Sequence, residues 1–251
     1  MKGLTAITRR ELAGLFLQPL AWVLLCLALL MQGFFLTLFL EQSGGDVRSA
    51  LLSGFGNFNF WILTMLLAPL LTMRMISEES RSGLLEFLLT APVSDFAVVL
   101  GKQFAATAFF AILWSSTLFF AVGAAWLGAE IDWAQVLVGY SGAVLVSSLF
   151  CAIGLFTSSL TQTPVLAAFL AFLIGLAMMV LPGVLAQYWT RSWGLDDQWL
   201  AAVTTKFDLS QRYMNSFLLG AVDTGHVVFF LTWIGLFVFL SVRLLEMRRW
   251  R

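Results

Sequence analysis

Histidine occurs once in this sequence, at His226, and cysteine twice, at Cys26 and Cys151. A single histidine excludes H-E-x-x-H and every His-pair metal site. Both cysteines fall inside long apolar runs, where they read as packing residues and say little about redox compartment. Charge is scarce as well. Asp, Glu, Lys and Arg make up 11% of the 251 residues against 60% hydrophobic, and the mean hydropathy is +0.92. A soluble domain carries about 25% charged residues, so this chain cannot cover itself with a polar surface and lipid must be its solvent. No charged residue occurs in Leu12–Leu40, Ser49–Met73, Gln103–Ala129, Trp133–Thr190 or Thr224–Val242. A spanning helix needs about 20 apolar residues. Four of these windows hold one helix each. Trp133–Thr190 holds two, with Thr161-Gln162-Thr163-Pro164 as the break.

Catalytic and nucleotide-binding motifs are missing. Gly101-Lys102 has neither the upstream glycine nor the following Ser or Thr of a P-loop. "GFGNFNF" at 54–60 puts Asn59 where a dinucleotide fingerprint needs its third glycine. The apolar windows hold no carboxylate or lysine for a proton relay, the usual mark of ion-driven transporters. The expectation is a non-catalytic chain that binds no cofactor and no metal and takes its energy from elsewhere.

The reading is an all-α membrane protein of one domain, residues 1–251. Its six spans lie at about 20–40, 53–74, 98–127, 134–159, 164–186 and 226–245. With the N-terminus inside, the inner segments hold ten basic residues, among them Lys2, Arg9, Arg10, Arg74, Lys102 and Arg251. The outer segments hold four: Arg48, Arg191, Lys206 and Arg212. That asymmetry follows the positive-inside rule and places both termini on the cytoplasmic side. The first apolar run is too long for the core of a signal peptide, so it reads as a span. Residues 2–18 are basic and amphipathic, with Leu4, Ile7, Leu12 and Leu15 at near-helical spacing. They suit an interfacial helix on the inner leaflet, or a basic anchor for the first span. Tyr188, Trp189, Trp193, Trp199 and Tyr213 make the outer segment 187–223 an aromatic interfacial region with room for one or two short helices. His226 reads as an interfacial anchor beside it.

The most charged stretch in the front half is "MRMISEESRSGLLEFLLTAPVSDF", Met73–Phe96. Arg74 is placed to cap the negative end of the second span. Ser77 precedes Glu78 and Glu79, a helix start with acids in its first turn. Leu84, Leu85, Leu88 and Leu89 share one face, Arg81, Ser82 and Glu86 turn to the other, and Pro92 ends the helix. The pattern predicts a short amphipathic cytoplasmic helix over 77–90. Such a helix can rest on lipid or dock on a soluble partner. Docking accounts for the acids, which an anionic leaflet would repel. Arg74 and Lys102, at the inner ends of spans, are expected to snorkel to the headgroups.

Residues 78–106, "EESRSGLLEFLLTAPVSDFAVVLGKQFAA", resemble the signature region of ABC-2-type transporter permeases through Glu78, Glu79, Gly83, Glu86, Leu88, Leu89, Pro92, Gly101 and Lys102. Leu84 departs from the family's common threonine. "AIGLFTSSLTQTPVLAAFL" (152–170) is similar to the family's stretch between spans four and five. The ending "VRLLEMRRW" is similar to that of the gliding-motility-associated, GldF-like permeases. The resemblance implies a six-helix membrane subunit that works with a second permease subunit, identical or homologous, and with a cytoplasmic ATPase dimer that holds ATP and Mg. It also implies that the 77–90 helix is the coupling element, built from Glu78, Glu79, Arg81, Gly83, Leu85, Glu86, Leu88 and Leu89. Gly83 there would allow close backbone approach, and the glutamates would pair with basic groups on the ATPase. A GldF-like membership further implies a membrane partner with a large extracytoplasmic region. Nucleic acid is not among the expected partners.

Polar residues in the spans are few: Gln32, Thr64, Ser115, Ser116, Thr117, Ser147, Ser148, Ser158 and Ser159. Ser and Thr in membrane helices mostly bond to their own backbone or bridge helices. A path so poor in charge suits an amphipathic or lipid-linked cargo, or the extraction of something at the outer surface. Ala167, Ala171 and Gly175 form a small-residue stripe that permits close packing, within the subunit or against another. Met178-Met179 reads as an apolar pair. The rival readings are another ABC-2 branch (drug, polysaccharide, haem- or copper-related), a stand-alone secondary transporter or channel, and a structural scaffold.

Overall fold

The computed structural model describes residues 2–83, 94–192 and 206–249. These are helical, with no strand among them. In chain order the helices are α1 (Lys2–Leu17), α2 (Pro19–Gln42), α3 (Val47–Gly56), α4 (Phe58–Thr72), α5 (Ser77–Arg81), α6 (Asp95–Trp126), α7 (Trp133–Leu160), α8 (Pro164–Ser192), α9 (Leu209–Met214) and α10 (Thr224–Arg249). A 3-10 turn, Phe217–Leu219, follows α9. Six stretches are long and apolar enough to cross a membrane: Pro19–Gln42, Val47–Arg81, Asp95–Trp126, Trp133–Leu160, Pro164–Leu185 and Thr224–Met247.

Local chemistry sets the breaks. Pro19 occupies the first turn of α2, where a missing N–H costs nothing, and it separates α2 from α1. Asp46, Ser94 and Asp132 cap α3, α6 and α7 by accepting from the backbone N–H groups of Arg48, Ala97 and Gln135. The chain turns at 161–163, between Leu160 and Pro164. The second span is composite. At about 1.5 Å per residue, the 15 residues of α4 fall short of a hydrocarbon core of about 30 Å. α3 extends it after a break at Asn57, whose backbone is extended.

Spans two and four form the centre. In their apolar windows 72% and 67% of residues are buried, against 22%, 17% and 28% in α2, α8 and α10. The peripheral helices keep apolar residues such as Leu30, Phe34, Val165, Phe169 and Val228 exposed, as lipid-facing surfaces require. The stripe on α8 lies inside the subunit. Ala167 and Ala171 are buried, and a Cβ on Gly175 would come within 2.7 Å of the Phe150 ring of α7. Met178 and Met179 pack against the same core.

At the end of the bundle away from α1, α9 and the 3-10 turn fold inward. Tyr213 is fully buried, stacked on Phe60 with ring centroids 5.2 Å apart and edge-on to Trp61 at 5.7 Å. The expectation that Tyr213 belongs to an interfacial belt is therefore wrong. It seals the core, and only Tyr188 of that group is described as exposed. Trp193 and Trp199, and the side chain of Trp189, lie outside the described residues. Arg48 joins α3 to α7 here, donating to Gln135 Oε1 at 2.6 and 2.9 Å and lying 3.3 Å from Asp132. Gln135 Nε2 in turn holds the carbonyl of Leu218 at 2.7 Å.

Most of the polar residues in the spans bond locally or across to a neighbouring helix. Ser115, Ser147 and Ser159 donate to backbone carbonyls three or four residues back. Ser147 also accepts from Trp114 Nε1 at 2.8 Å, and Ser116 donates to Gln32 across to α2. Thr64 Oγ1 is buried without a partner among the described residues.

Candidate functional site

Among the described residues, a cluster of charge around one buried lysine lies where α1, α5 and the start of α6 meet. Lys102, seven residues into α6, has a side chain with no exposed surface. Its Nζ lies 2.8 Å from Glu79 Oε1 and 3.2 Å from Glu11 Oε2. Arg10 completes the group, 2.6 Å from Glu11 Oε1 and 3.8 Å from Glu79 Oε1. Its hydrogen bond to Glu11 pushes the Arg10 guanidinium further towards its charged form. Two cations face two carboxylates, so the cluster is neutral and each charge has a partner, the condition for holding charge away from water.

Lys102 does not snorkel to the headgroups as its place in the sequence suggested. It is wholly buried, and two acids from other helices neutralise it. Gly101 makes this possible. A Cβ there would fall 2.6 Å from Ile7 Cγ2, so α1 comes this close to α6 only because position 101 is glycine. Ile7 and Glu11 are four residues apart and share a face of α1. Ile7 seats on Gly101, and one turn later Glu11 reaches Lys102. Leu15, one turn further, is buried too. α1 is thus packed against α6.

A second tie fixes the end of the second span. The Ser158 hydroxyl of α7 accepts from the N–H groups of Ile76 at 3.1 Å and Ser77 at 3.0 Å, and donates to the Met73 carbonyl at 2.9 Å. Three backbone groups released where α4 ends are satisfied by one side chain, and Ile76 is fully buried beside it. The short α5 therefore emerges at a fixed place and directs Glu79 to Lys102.

Beside the cluster is an open cleft of about 440 Å³ lined by Arg10, Glu11, Arg74, Glu78 and Glu79 among others. Arg74, Glu78 and Arg81 are exposed. Glu79 is mostly buried, so its carboxylate is engaged within the chain instead of facing outward to a partner.

The continuous helix expected over 77–90 is not present. α5 ends at Arg81. Gly83 has φ +75°, the left-handed conformation that glycine adopts without strain and that ends helices. Nothing lies within 4 Å of where its Cβ would be, so within the chain its use is the turn. Leu84, Leu85, Glu86, Leu88, Leu89 and Pro92 lie outside the described residues.

A protein-family model described as ABC-2 type transporter matches residues 2–200 of this chain. The chain belongs to that family. Its membrane domain is of the permease type, a non-catalytic component of an ABC transporter. No curated protein matches the sequence.

In this permease the matched region contains every residue of the junction, from Arg10 on α1 to Ser158 on α7. Sequence reasoning placed Glu79 and Gly101-Lys102 in one motif but did not bring Glu11 to it. The signal was the four-residue spacing of Ile7 and Glu11 against adjacent Gly101 and Lys102. It becomes legible only once α1 is known to cross α6.

Proposed function

We propose that this permease couples ATP hydrolysis by a separate cytoplasmic ABC ATPase dimer to the export or extraction of a substrate at a bacterial inner membrane. A second permease subunit, identical or homologous, completes the transmembrane unit. The single observation that carries the coupling reading is the buried Lys102, held by Glu79 of the post-span-two segment and by Glu11 of α1. Because Lys102 is fixed on a 32-residue spanning helix, a push on α5 or α1 reaches α6 without slack. Breaking the contact in transit would strand a buried charge. Force applied by an ATPase at 77–90 thus has a stiff route into the spans.

The contact surface itself is assigned from sequence. Leu85 and Leu88 give an apolar seat, and Glu78, Arg81 and Glu86 set register at its rim. Glu79 belongs to the internal clamp. The sparse polarity of the spans favours an amphipathic or lipid-linked substrate, or an extraction reaction. The ending "VRLLEMRRW" supports reading the permease as one of the GldF-like branch. That branch implies an additional membrane partner with a large extracytoplasmic region.

Burial of one leucine is worth about 1.5–3 kcal/mol, and about 1.4 kcal/mol is tenfold in affinity. Leu88→Asp should therefore lower co-purification of a co-expressed ABC ATPase at least about tenfold, with insertion unchanged. Glu86→Gln should change the salt dependence of that binding more than its strength. ATP hydrolysis in lipid nanodiscs reports coupling. Full binding and normal stimulation by Leu88→Asp would show the segment to be a lipid-resting element.

A further inference from the structure

The end of the bundle away from α1 holds few cations. Of the four basic residues in the outer segments, Arg48 is matched by Asp132, and the side chain of Arg191 lies outside the described residues. The other two, Lys206 and Arg212, come together with Gln211, Asn215 and His226 around an open pocket of about 380 Å³. No carboxylate is among the described residues that line it. The coupling junction does not use this pocket.

Arg212 is held in place. Its guanidinium lies 4.4 Å from the centre of the Phe229 ring of α10, and its Nε donates to the Lys206 carbonyl. These contacts fix the plane of the guanidinium and use one of its N–H groups. The terminal N–H groups have no acceptor among the described residues. Lys206 is exposed, and neither cation enters an ion pair among the described residues. The flanking carboxylates are engaged elsewhere. Asp208 Oδ1 accepts from the backbone N–H groups of Ser210 at 3.0 Å and Gln211 at 3.1 Å, and Asp223 Oδ1 from that of Gly225 at 2.9 Å. Two cations brought together without a counter-charge repel each other, and an anion between them removes that cost.

Depth and the two amides narrow the anion. His226 is the third residue of Thr224–Met247, a stretch apolar enough to cross a membrane. The pocket therefore lies where a span leaves the hydrocarbon, at the level of lipid phosphates. Arg and Lys are the side chains that recognise phosphate, and a phosphodiester offers one non-bridging oxygen to each. Asn215 Nδ2 donates to Gln211 Oε1 at 3.3 Å. That leaves Gln211 Nε2 as a donor and Asn215 Oδ1 as an acceptor, and both residues are exposed. A headgroup with uncharged hydroxyls uses both. An ammonium headgroup would meet two cations and no carboxylate.

We propose that this pocket binds the headgroup of an anionic phospholipid, a phosphatidylglycerol, with the phosphodiester between Lys206 and Arg212 and the hydroxyls at Gln211 and Asn215. The test is native mass spectrometry of the full-length chain in a neutral detergent, titrated with phosphatidylglycerol or with phosphatidylethanolamine of the same acyl chains. Phosphatidylglycerol should bind the more tightly. Lys206→Gln and Arg212→Gln should each weaken its binding about fivefold and shrink the preference. Arg9→Gln, which removes an exposed cation at the opposite end, should leave both unchanged. Glycerol 1-phosphate should not displace the lipid. Equal binding of the two lipids overturns the proposal. So does a loss with Arg9→Gln as large as that with Lys206→Gln, which would reduce the effect to surface charge. Displacement by glycerol 1-phosphate also overturns it, by making the ligand a soluble phosphate. Benzoylphenylalanine at position 211 that cross-links to a protein instead of lipid in intact cells overturns it too, by making the pocket an interface. If Arg212→Gln does not accumulate, Lys206→Gln still decides, because that side chain is exposed and makes no ion pair among the described residues.

Discussion

Lys102 on α6 and Glu79 on α5 form a 2.8 Å ion pair whose cation has no exposed surface, although 22 residues separate the two in sequence. A residue positioned to reach the headgroups is instead the centre of a four-charge clamp. Removing one partner of a buried pair typically costs about 3–5 kcal/mol. Lys102→Ala should therefore sharply lower the thermal midpoint of the detergent-solubilised permease. The double variant Lys102→Ala/Glu79→Ala should recover part of that loss, because no buried charge is left unmatched between those two positions. Additive losses in a thermal-shift double-mutant cycle would show the pair to be energetically idle.

Gly101 is predicted to act through Ile7. Gly101→Ala places a methyl group 2.6 Å from Ile7 Cγ2, an overpacking that costs about 1–3 kcal/mol. Ile7→Ala removes Cγ2, the nearest obstructing atom, and leaves only Cβ at 3.0 Å, so the pair Gly101→Ala/Ile7→Ala should be more stable than Gly101→Ala alone. Cysteine cross-linking between α1 and α6 measures whether α1 has moved away. If the single variant cross-links as the parent does, α1 does not depend on this contact.

Ser158→Ala should release the start of α5. It leaves the N–H groups of Ile76 and Ser77 buried without their acceptor, at about 1–3 kcal/mol for each group left unsatisfied. Hydrogen exchange at residues 76–79 should speed up while exchange in the middle of α7 stays slow. Unchanged exchange at Ile76 would mean that another acceptor serves it.

Topology is testable without transport. Single-cysteine variants at positions 80 and 5 should be labelled by an impermeant maleimide only after the cells are opened. Exposed positions in 41–52, 128–133 and 187–225 should be labelled from outside. The ten-to-four division of basic residues sets this expectation. External labelling at position 80 would invert the whole arrangement.

What the sequence by itself determined was the class and the count of spans. Long windows without charge leave a chain no solvent but lipid, and in lipid only helices satisfy their own backbone. Proline and capping residues then mark ends, because Pro19, Ser94 and Pro164 act within one turn of themselves. The tertiary structure decided everything that depends on which helix crosses which. Gly101 gives no sign in sequence that Ile7 will fill its place, and Lys102 at a span end looks like any headgroup anchor until Glu11 and Glu79 arrive from elsewhere in the chain. Tyr213 looked interfacial because aromatic rings favour the membrane edge, yet stacking on Phe60 drew it inside. Periodicity at 77–90 favoured one helix, but the positive φ of Gly83 ends α5 before it. Hydropathy and caps are local quantities, read one residue or one turn at a time. The partner of a buried charge and the seat of a glycine are set by helices far apart in sequence, and only their packing brings these residues together.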